Sequence, residues 1–153
     1  MLHEFTAHKL GEVIAFSRIG CEVAGRGGDA FVAALGAQAE TFTQDLAELE
    51  RAATDIADEV ALTQAEKTVE KLRTMMEQYI DDAWDDPVEL LEWMSFFTGA
   101  GTAHWALLSG VAKEQGTDEL QTLADTGQRQ YHRYLHATSE ALQTLGRSRV
   151  TSS

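Results

Sequence analysis

Apolar residues recur along this chain at the spacing of an α-helix. Phe5, Phe16 and Ile19 fall on one stripe of the first segment, because residues three, four and seven positions apart share one helical face. A period near 3.6 residues continues through the later segments, and Pro87 is the only proline. The pattern therefore predicts an all-α fold with five helices.

The first two predicted helices are joined by a glycine-rich run. The first covers about residues 2–23 and ends at the run 25–28, because glycine permits the backbone conformations of a tight turn. Asp29 then caps a second helix, which ends near Ile56. Two long helices joined so closely are expected to pack as an antiparallel hairpin.

The last two predicted helices have clear start signals. The run 86–89 combines a capping aspartate, a proline at the first helical position and an acidic third position, so a fourth helix begins here and runs to about residue 114. Gly116 separates it from a fifth helix, which Thr117 caps and which ends at Gly146. These two helices form a second hairpin.

A shorter third helix connects the two hairpins. Residues 63–66 have the pattern of a capping box, and the apolar stripe behind them ends at Ile80. This connection is long enough to cross the length of a four-helix bundle, and an up-and-down array of five helices is the alternative. We expect one domain over residues 1–146 and a flexible tail over 147–153.

Composition and charge limit the classes of function. With 44% hydrophobic and 24% charged residues, the 153-residue chain has the composition of a globular protein. Its formal charge of −13 repels phosphate backbones and anionic lipids, so we expect no nucleic-acid or membrane partner. Glu4 lies where a signal peptide would be basic or apolar, which predicts a cytoplasmic acidic protein. Cys21 is the only cysteine, which excludes a disulfide within the chain and a cysteine-rich zinc site.

One polar pair interrupts the apolar stripe of the first helix. His8 and Glu12 are four residues apart on the face that the neighbouring apolar residues would bury. Burial of either group without a partner costs free energy. An inward His8–Glu12 pair therefore implies a metal, a hydrogen-bonded polar network, or a different helical register.

Other predicted bundle helices carry further carboxylates and imidazoles near their middles. Rigid facing helices can hold such oxygen and nitrogen ligands at coordination distance around iron or manganese. The candidate metal ligands are His8, Glu12, Glu40, His104 and His132.

This arrangement resembles the ferritin-like superfamily, including rubrerythrin-like and bacterioferritin-like proteins. Members carry a glutamate on the first and third bundle helices and a Glu-x-x-His motif on the second and fourth. Glu12 matches the first glutamate, Glu40 matches the glutamate of the first motif, and His132 matches the histidine of the second. The resemblance implies a ferritin-like four-helix bundle of two antiparallel hairpins joined by a crossover helix.

Three positions depart from the ligand pattern of that family. Thr43 stands where the first motif has histidine, His104 or Ala103 where the third helix has glutamate, and Arg129 where the second motif has glutamate. The resemblance therefore implies a degenerate iron or manganese site.

Glycines inside the fourth helix indicate a close approach to its backbone. Each glycine costs about 1 kcal/mol relative to alanine in a helix. Gly101 therefore needs a compensating contact. One alternative is a neighbouring helix, in the same chain or across a dimer interface. The other is a flat ligand beside His104. Such a ligand could be a tetrapyrrole with His104 as axial donor, held by Gly101 and Trp105.

Aromatic residues also crowd the start of the fourth helix, at Trp93, Phe96 and Phe97. A helix that is apolar around much of its circumference is normally buried all round, which predicts a homodimer. Two functions fit these patterns: a bundle with a metal or cofactor in its core, or a non-catalytic interaction or scaffold module that binds a protein partner. Enzymatic activity in general is left open. A nucleophilic enzyme is the less favoured class, because the chain has no serine or cysteine motif on a turn and no glycine-rich phosphate-binding loop.

Overall fold

The computed structural model describes residues 2–151 and folds them into five helices. They are α1 (Glu4–Leu35), α2 (Gln38–Ile56), α3 (Glu59–Ile80), α4 (Pro87–Gln115) and α5 (Asp118–Thr151). Every regular element in this part of the chain is a helix, so the predicted all-α class is confirmed. None of these helices combines the length and the hydropathy that a membrane span requires.

The connection between α1 and α2 is longer than predicted. Gly28 has φ 50° and ψ −121°, a conformation that residues with a side chain rarely adopt, and it kinks α1. A short helical segment follows, and Gly36 at φ 62° breaks the chain again before α2 begins. The prediction of one continuous helix from Asp29 to Ile56 is therefore wrong at its N-terminal end.

This longer connection decides which residues of α1 and α2 face each other. Cys21 Sγ lies 3.8 Å from the backbone oxygen of Thr43, and Arg18 Nε donates to Glu50 Oε1 at 2.7 Å. The two pairs show that the helices run antiparallel. By continuation of this register, the part of α2 that lies opposite Glu12 is close to its C-terminal end.

The starts of α3 and α4 follow from aspartate caps. Asp58, rather than Thr63, caps α3, since its carboxylate accepts a hydrogen bond from the Ala61 N–H at 2.9 Å. The predicted start of α4 is confirmed, because Asp86 accepts from the Val88 N–H at 3.0 Å. The Thr63 prediction was wrong because a stronger cap lies five residues earlier.

The start of α5 is confirmed and its end is not. Thr117 Oγ1 accepts from the Leu120 N–H at 3.2 Å. The helix continues past Gly146 to Thr151, and Arg149 donates to Asp86 at 2.7 Å, which ties its last turn to the start of α4. Residues 152 and 153 of the predicted tail lie outside the described residues.

α1 contacts each of the other four helices. α2, α5 and α4 complete a ring with it, since α2 also meets α5 and α5 meets α4. α3 packs on the outside of this ring, against α1 and α4. It runs parallel to α1, because Gly11 lies against Ala61 and, about three turns further along both helices, Glu22 accepts from Arg73.

Candidate functional site

Two of the predicted site residues meet between α1 and α4. His104 Nδ1 lies 3.1 Å from Glu12 Oε2, and both side chains are largely buried, with 24% and 18% of their surface exposed. The other carboxylate oxygen of Glu12 accepts from Lys9 Nζ at 3.0 Å. The two oxygens of Glu12 thus face an ammonium on their own helix and an imidazole on α4.

The surroundings of His104 favour its neutral form. Burial lowers the pKa of His104, the nearby Lys9 ammonium lowers it further, and the Glu12 carboxylate opposes both. His104 Nδ1 has no partner at hydrogen-bond geometry among the described residues, so its contact with Glu12 is electrostatic. The Phe16 ring covers the imidazole at a centroid distance of 5.1 Å.

The other predicted metal ligands lie elsewhere. His8 is half-buried on α1, while Glu40 and His132 are exposed on α2 and α5. Glu40 accepts from Gln44 at 3.3 Å and lies near the N-terminal end of α2, the end remote from Glu12. Within residues 2–151, no group of three histidine, cysteine, aspartate or glutamate side chains is placed to hold a metal ion.

The glycine in the middle of α4 makes room for a ring of α5. A side chain at Gly101 would overlap the Tyr131 ring, and one at Gly127 would overlap the Trp105 indole. Trp105 and Tyr131 are both fully buried. The close approach that Gly101 indicated is thus a contact with a neighbouring helix of the same chain, and Trp105 packs in the core.

Sequence reasoning missed the partner in this contact. Gly127 carries the same signal as Gly101, a glycine inside a helix that has no turn to make. Reading the two glycines together, across the short connection between α4 and α5, would have paired each with the ring on the other helix.

The opposite side of α4 forms an open apolar groove with α3, which we call the α3–α4 groove. It has a volume of about 520 Å³. Phe96 is 62% exposed there, Met75 49% and Tyr79 37%, which is unusual for such large apolar side chains. The lining residues are Phe16, Leu72, Met75, Gln78, Tyr79, Trp93, Phe96, Phe97 and Ala100.

Carboxylates flank one end of this groove. Tyr79 Oη lies 3.5 Å from Glu92 Oε2. Burial raises the pKa of Tyr79, and the negative charges of Glu92 and Glu89 raise it further. The end of the groove at Tyr79 is therefore electronegative, while its other wall, at Phe16, adjoins His104.

A second groove lies between α2 and α5 and is acidic. Its volume is about 580 Å³, and none of the described residues that line it is basic. Leu49, Ile56 and Leu123 give it apolar patches. Its carboxylates are those of Asp45, Glu48, Asp55, Asp118 and Glu119.

Comparison with protein-family models, with characterised proteins and with solved structures found no match to this chain. The resemblance to the ferritin-like superfamily accordingly rests on the residues of the chain itself. The geometry of the Glu12–His104 pair and of the α3–α4 groove is the basis on which function is argued.

Proposed function

We propose that this protein is a ferritin-like helical bundle that works as an interaction module. Its binding surface is the α3–α4 groove, and the occupant is an amphipathic helix of a partner protein. The observation that carries this proposal is the open apolar groove with Phe96 62% exposed at its rim. Large exposed apolar patches on a folded protein mark binding surfaces.

The helix contacts support the ferritin-like part of the proposal. α1 packs against α2 and α4 packs against α5, as the two hairpins of such a bundle do. α3 lies outside these hairpins and runs antiparallel to α4, since its Tyr79 meets Glu92 near the start of α4. A helix in this position can return the chain along the length of the bundle.

The shape of the groove suits a helix. Its lining residues span Leu72 to Tyr79 on α3 and Trp93 to Ala100 on α4. Seven helical steps cover about 10 Å, which is two turns. A partner helix can place apolar side chains at positions i, i+3 or i+4, and i+7 over that distance.

The charge of the chain selects a basic partner. Its formal charge is −13, and Glu89 and Glu92 lie beside Tyr79 at one end of the groove. Lysine or arginine residues on the flanks of a partner helix would be attracted there, whereas a second copy of this chain would carry the same repulsive charge. The homodimer is therefore the less favoured occupant and an outcome of the test.

The probe is a labelled amphipathic helical peptide with leucines on one face and lysines on the other, titrated while its fluorescence anisotropy is measured. We expect Phe96→Ser to weaken binding about tenfold or more, because burial of this exposed aromatic ring against the partner should contribute at least about 1.4 kcal/mol. Leu107→Ser is the matched control, since Leu107 is also an exposed apolar residue of α4, at 46%, but does not line the groove. It should leave the affinity within about twofold.

Three results would overturn this assignment. The first is that the basic peptide does not bind, and the second is that Leu107→Ser and Phe96→Ser weaken binding equally. The third is a dimeric mass in dilute solution that Phe96→Ser converts to a monomer, which would assign the groove to a second copy. An otherwise identical peptide with glutamates in place of lysines should bind more weakly if charge contributes.

A metal site at Glu12 and His104 is the second candidate function. Glu12 and His104 occupy first- and third-helix positions of the family pattern and lie in contact. Two donors, one of them already paired with Lys9, do not make a complete site, so the predicted iron, manganese or tetrapyrrole stays a prediction.

Elemental analysis of untagged protein tests the metal directly. Near-stoichiometric iron or manganese that is lost in Glu12→Ala would support the site, and a Soret band would instead indicate a tetrapyrrole. Protein that retains neither, and whose stability is unchanged in Glu12→Ala, would rule both out.

A further inference from the structure

Two glutamates mark one end of the α3–α4 groove. Tyr79 Oη, on the groove lining, lies 3.5 Å from Glu92 Oε2. Glu89, in the first turn of α4, precedes Phe96 by seven residues and therefore lies on the same face of the helix. Within residues 2–151 neither Glu89 nor Glu92 forms a salt bridge, so their negative charges can act on a molecule bound in the groove.

A lysine marks the other end of the groove. Lys71 is exposed on α3 and lies one turn before Met75, which lines the groove, so the two side chains leave the helix on the same side. Among the described residues Lys71 has no salt-bridge partner. α4 carries no acidic residue between Glu92 and Glu114, so its carboxylates do not cancel this positive charge. The groove is therefore negative at the start of α4 and positive toward the middle of that helix.

A helix that lies in this groove has charged ends of its own. Its aligned peptide dipoles place about half a positive charge at its N-terminus and about half a negative charge at its C-terminus. Because α3 and α4 run antiparallel, a helix along the groove can point in one of two directions. In one direction its N-terminus meets Glu89 and Glu92 and its C-terminus meets Lys71, and both contacts are attractive. In the reverse direction both contacts are repulsive, so the two ends of the groove favour the same direction.

We propose that the partner helix docks parallel to α4 and antiparallel to α3, with its N-terminus at Glu89 and Glu92 and its C-terminus at Lys71. This inference rests on the proposed function of the groove and adds the direction of its occupant. It also places the basic residues of the partner near the N-terminal end of its helix, because those near the C-terminal end would face Lys71. Attraction at both ends should favour this direction over its reverse by about threefold or more.

Paramagnetic broadening in NMR spectra of the full chain measures the direction. The probe is the leucine and lysine peptide with evenly spaced lysines, about 14 residues or about 21 Å long. Its ends are acetylated and amidated to remove the terminal charges, and a nitroxide label is placed at either end. The N-terminal label should broaden the amide signals of Tyr79 and Trp93 more than those of Leu72 and Ala100, and the C-terminal label should do the reverse. Equal broadening of both groups would overturn the direction and leave the groove assignment intact, whereas a peptide that does not bind would overturn both.

Reversal of one charge tests the cause of this direction. Lys71→Glu makes both ends of the groove negative, so the difference between the two labels should be lost. Lys113→Glu is the matched control, because Lys113 is also exposed but lies in the last turn of α4, outside the groove lining. It changes the net charge by the same amount and should leave the difference between the labels unchanged. A difference that both variants abolish, or that both retain, would overturn the proposal that the charges at the groove ends set the direction.

Discussion

The two faces of α4 are packed in opposite ways. Toward α5, glycines replace side chains and the rings of the facing helix fill the space, so Gly101 meets Tyr131 and Gly127 meets Trp105. Toward α3, large side chains meet one another and leave a groove of about 520 Å³, with Phe96 exposed. Trp105 of α4 is thus buried where α5 offers a glycine, whereas Phe96, on the side of α3, stays exposed.

Truncating one ring on each face gives the largest expected difference. Trp105→Ala should lower the free energy of unfolding by about 3–5 kcal/mol, because it leaves a cavity in a fully packed core. Phe96→Ala should change it by about 0.5 kcal/mol or less, since that ring is 62% exposed. Urea unfolding of both variants measures the contrast. Equal losses would mean that α3 and α4 pack more tightly than their groove indicates.

Glycine substitutions test the same contrast through the backbone. Gly101→Ala should destabilise the fold by about 1–3 kcal/mol, because the added methyl group overlaps the Tyr131 ring. Gly99→Ala is its matched control two residues away, where a side chain would meet nothing within 4 Å. That change should stabilise the protein by roughly 0.5–1 kcal/mol through helix propensity. Thermal unfolding of both variants should therefore give shifts of opposite sign.

His104 is expected to give a smaller effect that depends on pH. Since its pKa is lowered in the folded state, the unfolded chain takes up a proton first as the pH falls. Stability should be complete above the unfolded pKa of about 6.5 and should decline below it. Urea midpoints between about pH 7 and pH 5 measure this decline.

Two substitutions separate His104 from the other titrating groups. His104→Gln should flatten the decline, and Glu12→Gln should steepen it, because the carboxylate that opposes the lowered pKa is removed. A decline that His104→Gln leaves unchanged would assign it to other groups.

Local signals allowed much of the fold to be predicted from the sequence. The aspartate and proline that begin α4 act through their own backbone neighbours, so their effect is readable without knowing what packs nearby. The same holds for Thr117 at the start of α5. Gly36 was missed because it lies within an apolar helical pattern, and its backbone break is visible only in three dimensions.

The candidate site was harder to predict because it depends on the register between helices. With a turn at residues 25–28, Glu40 would lie opposite Glu12, but the second break at Gly36 moves the turn along the chain. Glu40 is thereby carried to the other end of α2, while Glu12 meets His104. Spacing along one helix identified Glu12 as an inward carboxylate and paired it with His8, whereas in the structure Glu12 contacts His104 on α4.

α4 and α5 also carry glycine and aromatic residues at the same spacing. Gly101 precedes Trp105 by four residues, and Gly127 precedes Tyr131 by four. If the helices slipped by one turn in one direction, Trp105 would collide with Tyr131, and in the other direction Gly101 would face Gly127 across a hole. The two helices therefore pack well in one register only. A hairpin that forms in a shifted register during folding would be destabilised by the clash or by the cavity.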